Sequence, residues 1–426
     1  MTIRQHIVQC YVFLRSYCQW KKIARRVKNT DFHKSTTPSL VIVPCDPWSV
    51  GGSRGDEAMI MGVIDRYRRL NPDIPIHIVC TDEGVHYIQQ LNIKDITPIS
   101  CWNGAYSIEN IYQSIISTNP SDVVILGADC MDGYYSPILS LQLLSIHDLC
   151  NKTSHLHSRL LGFSFNAHPS WLMIRAFKSL SSDTKLQIRD PLSYERFQKK
   201  VNRSAKLVAD AAFMLHPRPN FPLYKTIKKW TDDQRTLGRT IIGLNFHPML
   251  RTYDDPEDIK GDAMLLAKNV EAILQKHHNV SFILMPHDDR KGITDNLMLS
   301  NIYNYLQKSG QITNQVFYSA EVPRAAQLKA LCGLIDGLIS SRMHLAIAAL
   351  GMKVPVMAAT YQDKFEGLFQ HFGLDDSYLL NAKQFLSNKM IVTFENFLKE
   401  LPILKQHISE RLAKVQTLSN ANFEDE

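Results

Sequence analysis

Four short stretches place charged or titratable residues at the ends of apolar runs, where they could do chemistry. In "LISSRMHLAIAALG", Arg342 and His344 stand between two apolar segments. A guanidinium and an imidazole at a strand end, where a helix begins, face the positive end of a helix dipole. That setting suits a phosphate or a carboxylate. The alternative is an Arg–His pair satisfied inside the protein. In "LMPHDD", His287 adjoins Asp288 after an apolar run; such a pair binds hydroxyls or moves protons, or merely opens a loop. In "GGSRGDEAMIMG", Gly51, Gly52 and Gly55 turn the chain into a helix whose start exposes N–H groups. Asp56 and Glu57 there either cap that helix or contact substrate hydroxyls. In "QIRDPLSYERF", Arg189 ends a strand, Asp190 reads as an N-cap and Pro191 as the first helical residue. Arg189 is then an anion ligand or the partner of a nearby acid.

Several common chemistries lack their patterns. Neither a Gly-Lys-Ser/Thr phosphate loop nor G-x-G-x-x-G is present, and no H-E-x-x-H or paired-carboxylate spacing points to a metal. No G-x-S-x-G elbow suggests a serine hydrolase.

The elements that would position these residues alternate regularly. "LVIVPCDPW" opens a series of short apolar β-rich runs that continues at 74–80, 122–130, 159–165, 185–190 and 206–213, with helix-length segments such as 57–70 between them. A second series follows at 240–248, 280–288, 315–321, 333–340 and 354–360. Short continuous apolar strands alternating with helices imply doubly wound parallel sheets. The expected architecture is α/β and GT-B-like: two Rossmann-like doubly wound parallel-sheet domains facing a cleft. Ligands in such sheets sit beyond the carboxyl ends of the strands. That rule selects Asp46, Asp129, Arg189, Asp190, His247, His287, Asp288, Arg342 and His344.

The expected boundaries are a basic amphipathic tail over 1–38, an N-terminal domain over 39–220 and a linker over 221–238. A C-terminal domain over 239–385 follows, then helices and an acidic, disordered end over 386–426. The linker expectation rests on "PRPNFPLYKTIKKWTDDQRTLG", proline-rich and then charged.

Length and charge fit this division. At 426 residues the chain exceeds one ordinary core, and 45% hydrophobic with 21% charged residues is globular composition. The net charge of +7 belongs to residues 1–38, which hold eight Lys/Arg and one acid. Of the 48 basic and 41 acidic residues, 40 of each remain for the rest. The balanced body therefore gives no case for nucleic acid. The tail has apolar residues Ile7, Tyr11, Leu14 and Cys18 at helical spacing among bases. It reads either as an interfacial helix on anionic lipid or as a helix packed on the body. No spanning segment and no secretory signal is recognisable. Eight scattered cysteines without a C-x-x-C pair fit a reducing cytoplasm.

Taken together and in order, the motifs resemble those of the polysaccharide pyruvyl transferase family, which includes CsaB-like ketal pyruvyltransferases. "GSRGDEAMI" resembles its G-N-x-G-D-E-A motif, "IRDPLS" its R-D-x-x-S element, and "MPHDD" with Asp295 its P-H-D…D segment. "SSRMHLAIAALGMKVPVMAATYQDK" resembles its R-x-H-x-x-I-x-A-L-x-x-x-V-P-V…Y-x-x-K signature. Three departures fall in the N-terminal half: Ser53 replaces Asn, "LGADCMDG" lacks a Gly-Gly pair, and "GFSFNAHPS" lacks Q-S-x-G-P.

The resemblance implies transfer of a pyruvyl group from phosphoenolpyruvate to two hydroxyls of a sugar in a polysaccharide or lipid-linked precursor. A ketal forms, phosphate is released, and no further cofactor is needed. It implies an N-terminal acceptor domain and a C-terminal domain that binds phosphoenolpyruvate. Arg189, Arg342 and His344 would hold the donor, with Arg54, His287, Leu345, Tyr361 and Lys364 as further substrate contacts. His344 would be the general acid, and Asp56, Glu57 or Asp288 the base. The expected place is the cytoplasm, with peripheral contact on the inner face of the membrane through the tail. Two rivals stand beside this reading: a GT-B-like glycosyltransferase using a nucleotide sugar, and a non-catalytic glycan-binding protein.

Overall fold

The computed structural model describes residues 3–27, 37–91, 93–248, 256–288, 294–310, 314–360 and 363–424. The chain divides into two compact units. The first comprises Met1–Gly51, Met59–Met214 and Thr417–Glu426, the second Gly52–Ala58 and Leu215–Gln416.

The first unit is built on a five-stranded sheet in the order β3-β2-β1-β4-β5. Its strands are β1 (Leu40–Val43), β2 (Ile76–Cys80), β3 (Ile96–Ser100), β4 (Asp122–Ile125) and β5 (His157–Leu160). All pairs are parallel. β1 is buried at every position, as a central strand covered on both faces must be. Two short parallel strands, β6 (Gln187–Ile188) and β7 (Lys206–Leu207), form a separate ladder. The apolar runs 185–190 and 206–213 thus yield only two strand residues each. Ala211–Met214 is a 3-10 turn.

The second unit carries β8 (Thr240–Leu244), β9 (Val280–Leu284), β10 (Val316–Tyr318), β11 (Gly337–Ser340), β12 (Val356–Thr360) and β13 (Leu379–Asn381). Their order is β10-β9-β8-β11-β12-β13, again all parallel. Counted within the unit, this is the 3-2-1-4-5-6 order of a Rossmann sheet. In both units the strand order reverses beside the first strand, between β1 and β4 and between β8 and β11.

Two boundary expectations change, and the tail takes one of its two expected forms. The 221–238 stretch is not a linker: Pro222–Thr236 is a helix of the second unit that buries Ile227, Thr231 and Gln234. Spacing of four and three residues puts those side chains on one face. The acidic end is not disordered through 421–423. Asn422 is fully buried, donating to Ala209 O and Ser419 O at 2.8 Å each and accepting from Gly162 N at 2.8 Å. The tail forms the helix Ile3–Val27, which lays Phe13, Trp20 and Ile23 into the first unit's core. Trp20 Nε1 donates to Asp148 at 2.9 Å. Ile7, Val8, Tyr11 and Leu14 remain exposed on its other side. No helix among the described residues is long and apolar enough to cross a membrane. All eight cysteines are free thiols.

Candidate active site

The second unit brings three of the four motifs together. Its centre is Asp295, fully buried at the start of the helix Asp295–Lys308. Arg342 grips it in a fork: Nη2 lies 2.6 Å from Oδ1, and Nε lies 3.2 Å from each oxygen. Asn245 Nδ2 and the backbone N–H of His287 donate to Oδ2 at 2.9 and 3.1 Å. Burial opposes the charge on Asp295, but Arg342 and His247 outweigh it and hold the carboxyl below its usual range. Asp288 adds a second contact to Arg342, 3.1 Å from Nη2. The cation that the sequence sets between two apolar runs is therefore compensated by two carboxylates. Removing either side of such a pair costs far more than the pair itself contributes.

Two further histidines pack here. His287 is buried and its pKa falls to about 3, first because burial disfavours the imidazolium and second because Arg342 repels it. Its Nδ1 has no hydrogen-bond partner among the described residues. His247 is lowered for the same leading reason, with its Nδ1 3.6 Å from Asp295. Both rings are neutral near pH 7, so His287 is suited to hydrogen bonding rather than to delivering a proton.

The glycine-rich turn closes on this cluster. Ser53 forms an isolated antiparallel bridge with Asp288 and starts the helix Arg54–Leu70. The N-cap role considered for Asp56 falls to Ser53. Its Oγ accepts from Gly55 N at 3.3 Å and its carbonyl from Glu57 N at 3.0 Å. Gly55 lies against the ring of His344: a Cβ there would sit 2.5 Å from Nδ1 and 3.0 Å from Cγ. Only glycine fits that approach without moving the imidazole.

Other expected site residues have different employment. Arg54 is buried and donates to Pro323 O (2.8 Å), Val322 O (3.1 Å) and Glu57 (3.2 Å). Glu57 accepts from Ala325 N at 3.0 Å, capping the helix Ala325–Cys332. Arg54 and Glu57 thus pin the 322–325 loop, which corrects their assignment as substrate ligand and base. Leu345 is fully buried and its N–H closes on Arg342 O at 3.1 Å, so it is a helix-turn residue, not a ligand. Asp56 is half-buried in the first turn. Lys364 opens the helix Lys364–Phe372. Tyr361 lies outside the described residues.

Arg189 belongs to the first unit. Nη1 pairs with Asp210 at 2.9 Å and Nε donates to Ser164 at 2.7 Å. Burial works against its charge, but Asp210, Asp129 and Asp190 outweigh that and raise its pKa. Asp190 caps the helix Pro191–Val201 by accepting from Ser193 N at 2.7 Å, as its sequence position predicts. Ser193 Oγ in turn accepts from Phe165 N at 2.9 Å. The whole R-D-x-x-S element locks the 163–165 segment to a helix start.

Sequence reasoning missed Asn245 and the role of Gly55. Asn245 stands two residues before His247 in "LNFHP", at the carboxyl end of β8. The strand-end rule that selected His247 applies equally to it.

The family model for polysaccharide pyruvyl transferase matches residues 54–363. The chain belongs to this family. No curated protein matches the sequence. Among solved structures it resembles S. aureus MnaA in complex with UDP, at 11% identity and a TM-score of 0.54, over 88% of this chain and 91% of that one. UDP-GlcNAc 2-epimerase from Neisseria meningitidis bound to UDP-GlcNAc aligns at 12% identity and a TM-score of 0.50, over 90% and 98%. A further UDP-N-acetylglucosamine 2-epimerase gives 11% and 0.54, over 92% and 95%. At such identities these likenesses establish the fold, GT-B-like with two Rossmann-like domains, and nothing about substrate.

Proposed function

We propose that this polysaccharide pyruvyl transferase moves the pyruvyl group of phosphoenolpyruvate onto two hydroxyls of a sugar in a surface-polysaccharide or lipid-linked precursor. The observation that carries this reading is the convergence of Gly55, His287, Asp288, Arg342 and His344 around Asp295 in the second unit. Phosphoenolpyruvate presents a phosphate and a carboxylate. Arg342 keeps Asp295 and exchanges its contact with Asp288 for the donor's carboxylate. His287 donates a hydrogen bond as a neutral imidazole, and Lys364 supplies a second cation. His344 protonates the enol carbon, which makes the adjacent carbon electrophilic. A sugar hydroxyl attacks it while Asp288, released from Arg342, or Asp56 takes the hydroxyl proton. Phosphate leaves with the bridging oxygen, and a neighbouring hydroxyl closes the ketal, losing its proton in turn. Arg189, paired with Asp210, holds the fold of its own unit and is not assigned to the donor. Arg54 and Glu57 position the Gly55 turn.

We assign the protein to the cytoplasm, in peripheral contact with the inner membrane face. Support comes from the helix Ile3–Val27, whose exposed Ile7, Val8, Tyr11 and Leu14 are accompanied by exposed Arg15, Lys22 and Arg25. The test of the reaction is calorimetric titration with phosphoenolpyruvate against a UDP-sugar, followed by phosphate assay with extracted glycan precursors. Binding of phosphoenolpyruvate with acceptor-dependent phosphate release supports the reading. Binding and turnover of the UDP-sugar alone overturns it in favour of glycosyl transfer.

A further inference from the structure

The large aromatic side chains that remain exposed are unevenly distributed. Apart from Tyr11 on the N-terminal helix, they are Trp48 (42%), Tyr106 (39%), Tyr134 (51%), Tyr135 (53%) and Trp171 (52%), all in loops or helix starts after strands of the first unit. Among the described residues, the exposed large apolar side chains of the second unit are aliphatic or thioether. Tyr106 already has a partner, since Arg15 of the N-terminal helix lies over its ring at 4.4 Å. The other four follow β1, β4 and β5, which are neighbours in the sheet. They flank the point where strand order reverses, the place at which such sheets bind ligands.

The loops carrying them are rigidly tied. Asp46 accepts from Trp48 N at 3.0 Å and from Ser49 N at 3.2 Å. Asp132 accepts from Tyr134 N at 2.9 Å on one oxygen and from Asn166 N at 2.8 Å on the other. Its carbonyl also accepts from Ser170 N at 2.8 Å. Gly133, at φ +78°, lies so close that a Cβ would meet Ser170 Cβ at 2.8 Å and Met173 Cγ at 2.9 Å. These bonds join the Tyr134–Tyr135 loop to the start of the helix Trp171–Lys178. The two tyrosine rings meet edge to face at 5.2 Å, and Tyr135 Oη donates to Asp129 at 3.3 Å. Arg175 lies 5.6 Å from the Trp171 ring. Leaving four preorganised aromatic rings in water has no packing benefit within the unit, because each keeps about half of its surface unburied.

We propose that Trp48, Tyr134, Tyr135 and Trp171 form the stacking platform for the pyranose rings of the carbohydrate acceptor, with Asp129 and the Tyr135 hydroxyl bonding to ring hydroxyls. A pyranose has an apolar C–H face and a polar rim. Flat aromatic faces beside a carboxylate match both. Rigid aromatics lose little entropy on binding, so they hold an extended sugar chain cheaply. The platform deepens the proposed reaction by naming where its acceptor sits, and it rests on that reading only for the choice of a carbohydrate.

Native electrophoresis of the full-length protein through gels containing soluble galactan, glucan or mannan tests this directly. Iodide quenching of tryptophan fluorescence, with and without each polysaccharide, is the second readout. At least one polysaccharide should retard the protein and shield its tryptophans. Trp171→Ala or Tyr134→Ala should weaken retardation tenfold or more, Trp171→Phe should retain most of it, and Tyr106→Ala should match the unmodified protein. Absence of retardation and shielding with all three polysaccharides overturns the platform, as does retardation that Trp171→Ala leaves intact. Retention of a polysaccharide without phosphate release from phosphoenolpyruvate leaves the platform standing and overturns the proposed reaction. Transfer whose acceptor KM is unchanged in Trp171→Ala overturns the platform and leaves the reaction standing.

Discussion

Substituting Gly55 by alanine sets two opposed effects against each other, and their sizes decide the outcome. A helix gains roughly 0.5–1 kcal/mol when an interior glycine becomes alanine, and less in its first turn. Against this, the new methyl group would lie 2.5 Å from His344 Nδ1, 3.0 Å from Cγ and 3.2 Å from Cε1. Three ring atoms are affected, so rotating the imidazole in its own plane brings no relief; it must retreat by about 1 Å to reach ordinary contact. Overpacking of that kind costs about 1–3 kcal/mol. The net expectation is destabilisation by up to about 2 kcal/mol. A displacement of about 1 Å in a reacting group also lowers turnover by about 100-fold. Urea unfolding and phosphate release from phosphoenolpyruvate measure the two effects. The decisive control is Gly55→Ala in a His344→Ala background. There the clash is gone, and the same substitution should become neutral or stabilising. If Gly55→Ala stabilises the unaltered protein and keeps its turnover, the glycine turn does not abut the histidine as described.

Three further outcomes follow from the same structure. Asp295→Asn removes the forked partner of Arg342 while Asp288 remains, so unfolding stability should fall by about 3–5 kcal/mol, and Arg342→Met should restore part of the loss in the double variant; a loss under about 1 kcal/mol contradicts the cluster. His287 has a folded pKa of about 3 against an ordinary 6.5, so below pH 6.5 the unfolded chain takes up a proton that the folded one refuses. Stability should therefore fall as pH drops from 6.5 towards 3, by up to about 1.4 kcal/mol per unit. His247 acts in the same direction, and Asp295, depressed below its usual range, adds a loss below about pH 4. Thermal melts of His287→Gln should show a shallower slope above pH 4, and an unchanged slope removes His287 as its source. Ala128 stands at φ +46°, in the left-handed region that favours glycine. Ala128→Gly should raise stability by about 1 kcal/mol in urea titration, and a decrease would show that the alanine methyl group packs usefully.

Much of this architecture was legible because parallel strands buried on both faces read as continuous apolar runs, as in "LVIV" and "VSFIL". β3 escaped because "ITPIS" includes Pro98 and is only partly covered, as an edge strand is. The helix Pro222–Thr236 was mistaken for a linker because its buried face includes Thr231 and Gln234, which blur the apolar period. Strand-end polarity located His247, His287, Asp288, Arg342 and His344 without any fold in hand. What it could not supply was partnership. Nothing local in "SRGDEA" indicates that Arg54 and Glu57 secure a loop at 322–325, or that Gly55 is small for the sake of a ring nearly 300 residues away. Those are long-range contacts, set by topology rather than by neighbouring residues. The buried charge of Arg342 raised the right question, and Asp288 after β9 with Asp295 at a helix start answered it.

In the proposed reaction the pyruvyl carbon skeleton ends on the sugar as a ketal. Phosphoenolpyruvate labelled with carbon-13 at its central carbon, incubated with the protein and extracted glycan precursors, tests it most directly by NMR. A quaternary ketal carbon should appear on the glycan, formed one-for-one with released phosphate and abolished in His344→Ala. Label that stays in phosphoenolpyruvate or appears as free pyruvate, while a nucleotide sugar is consumed with the same precursors, would contradict it.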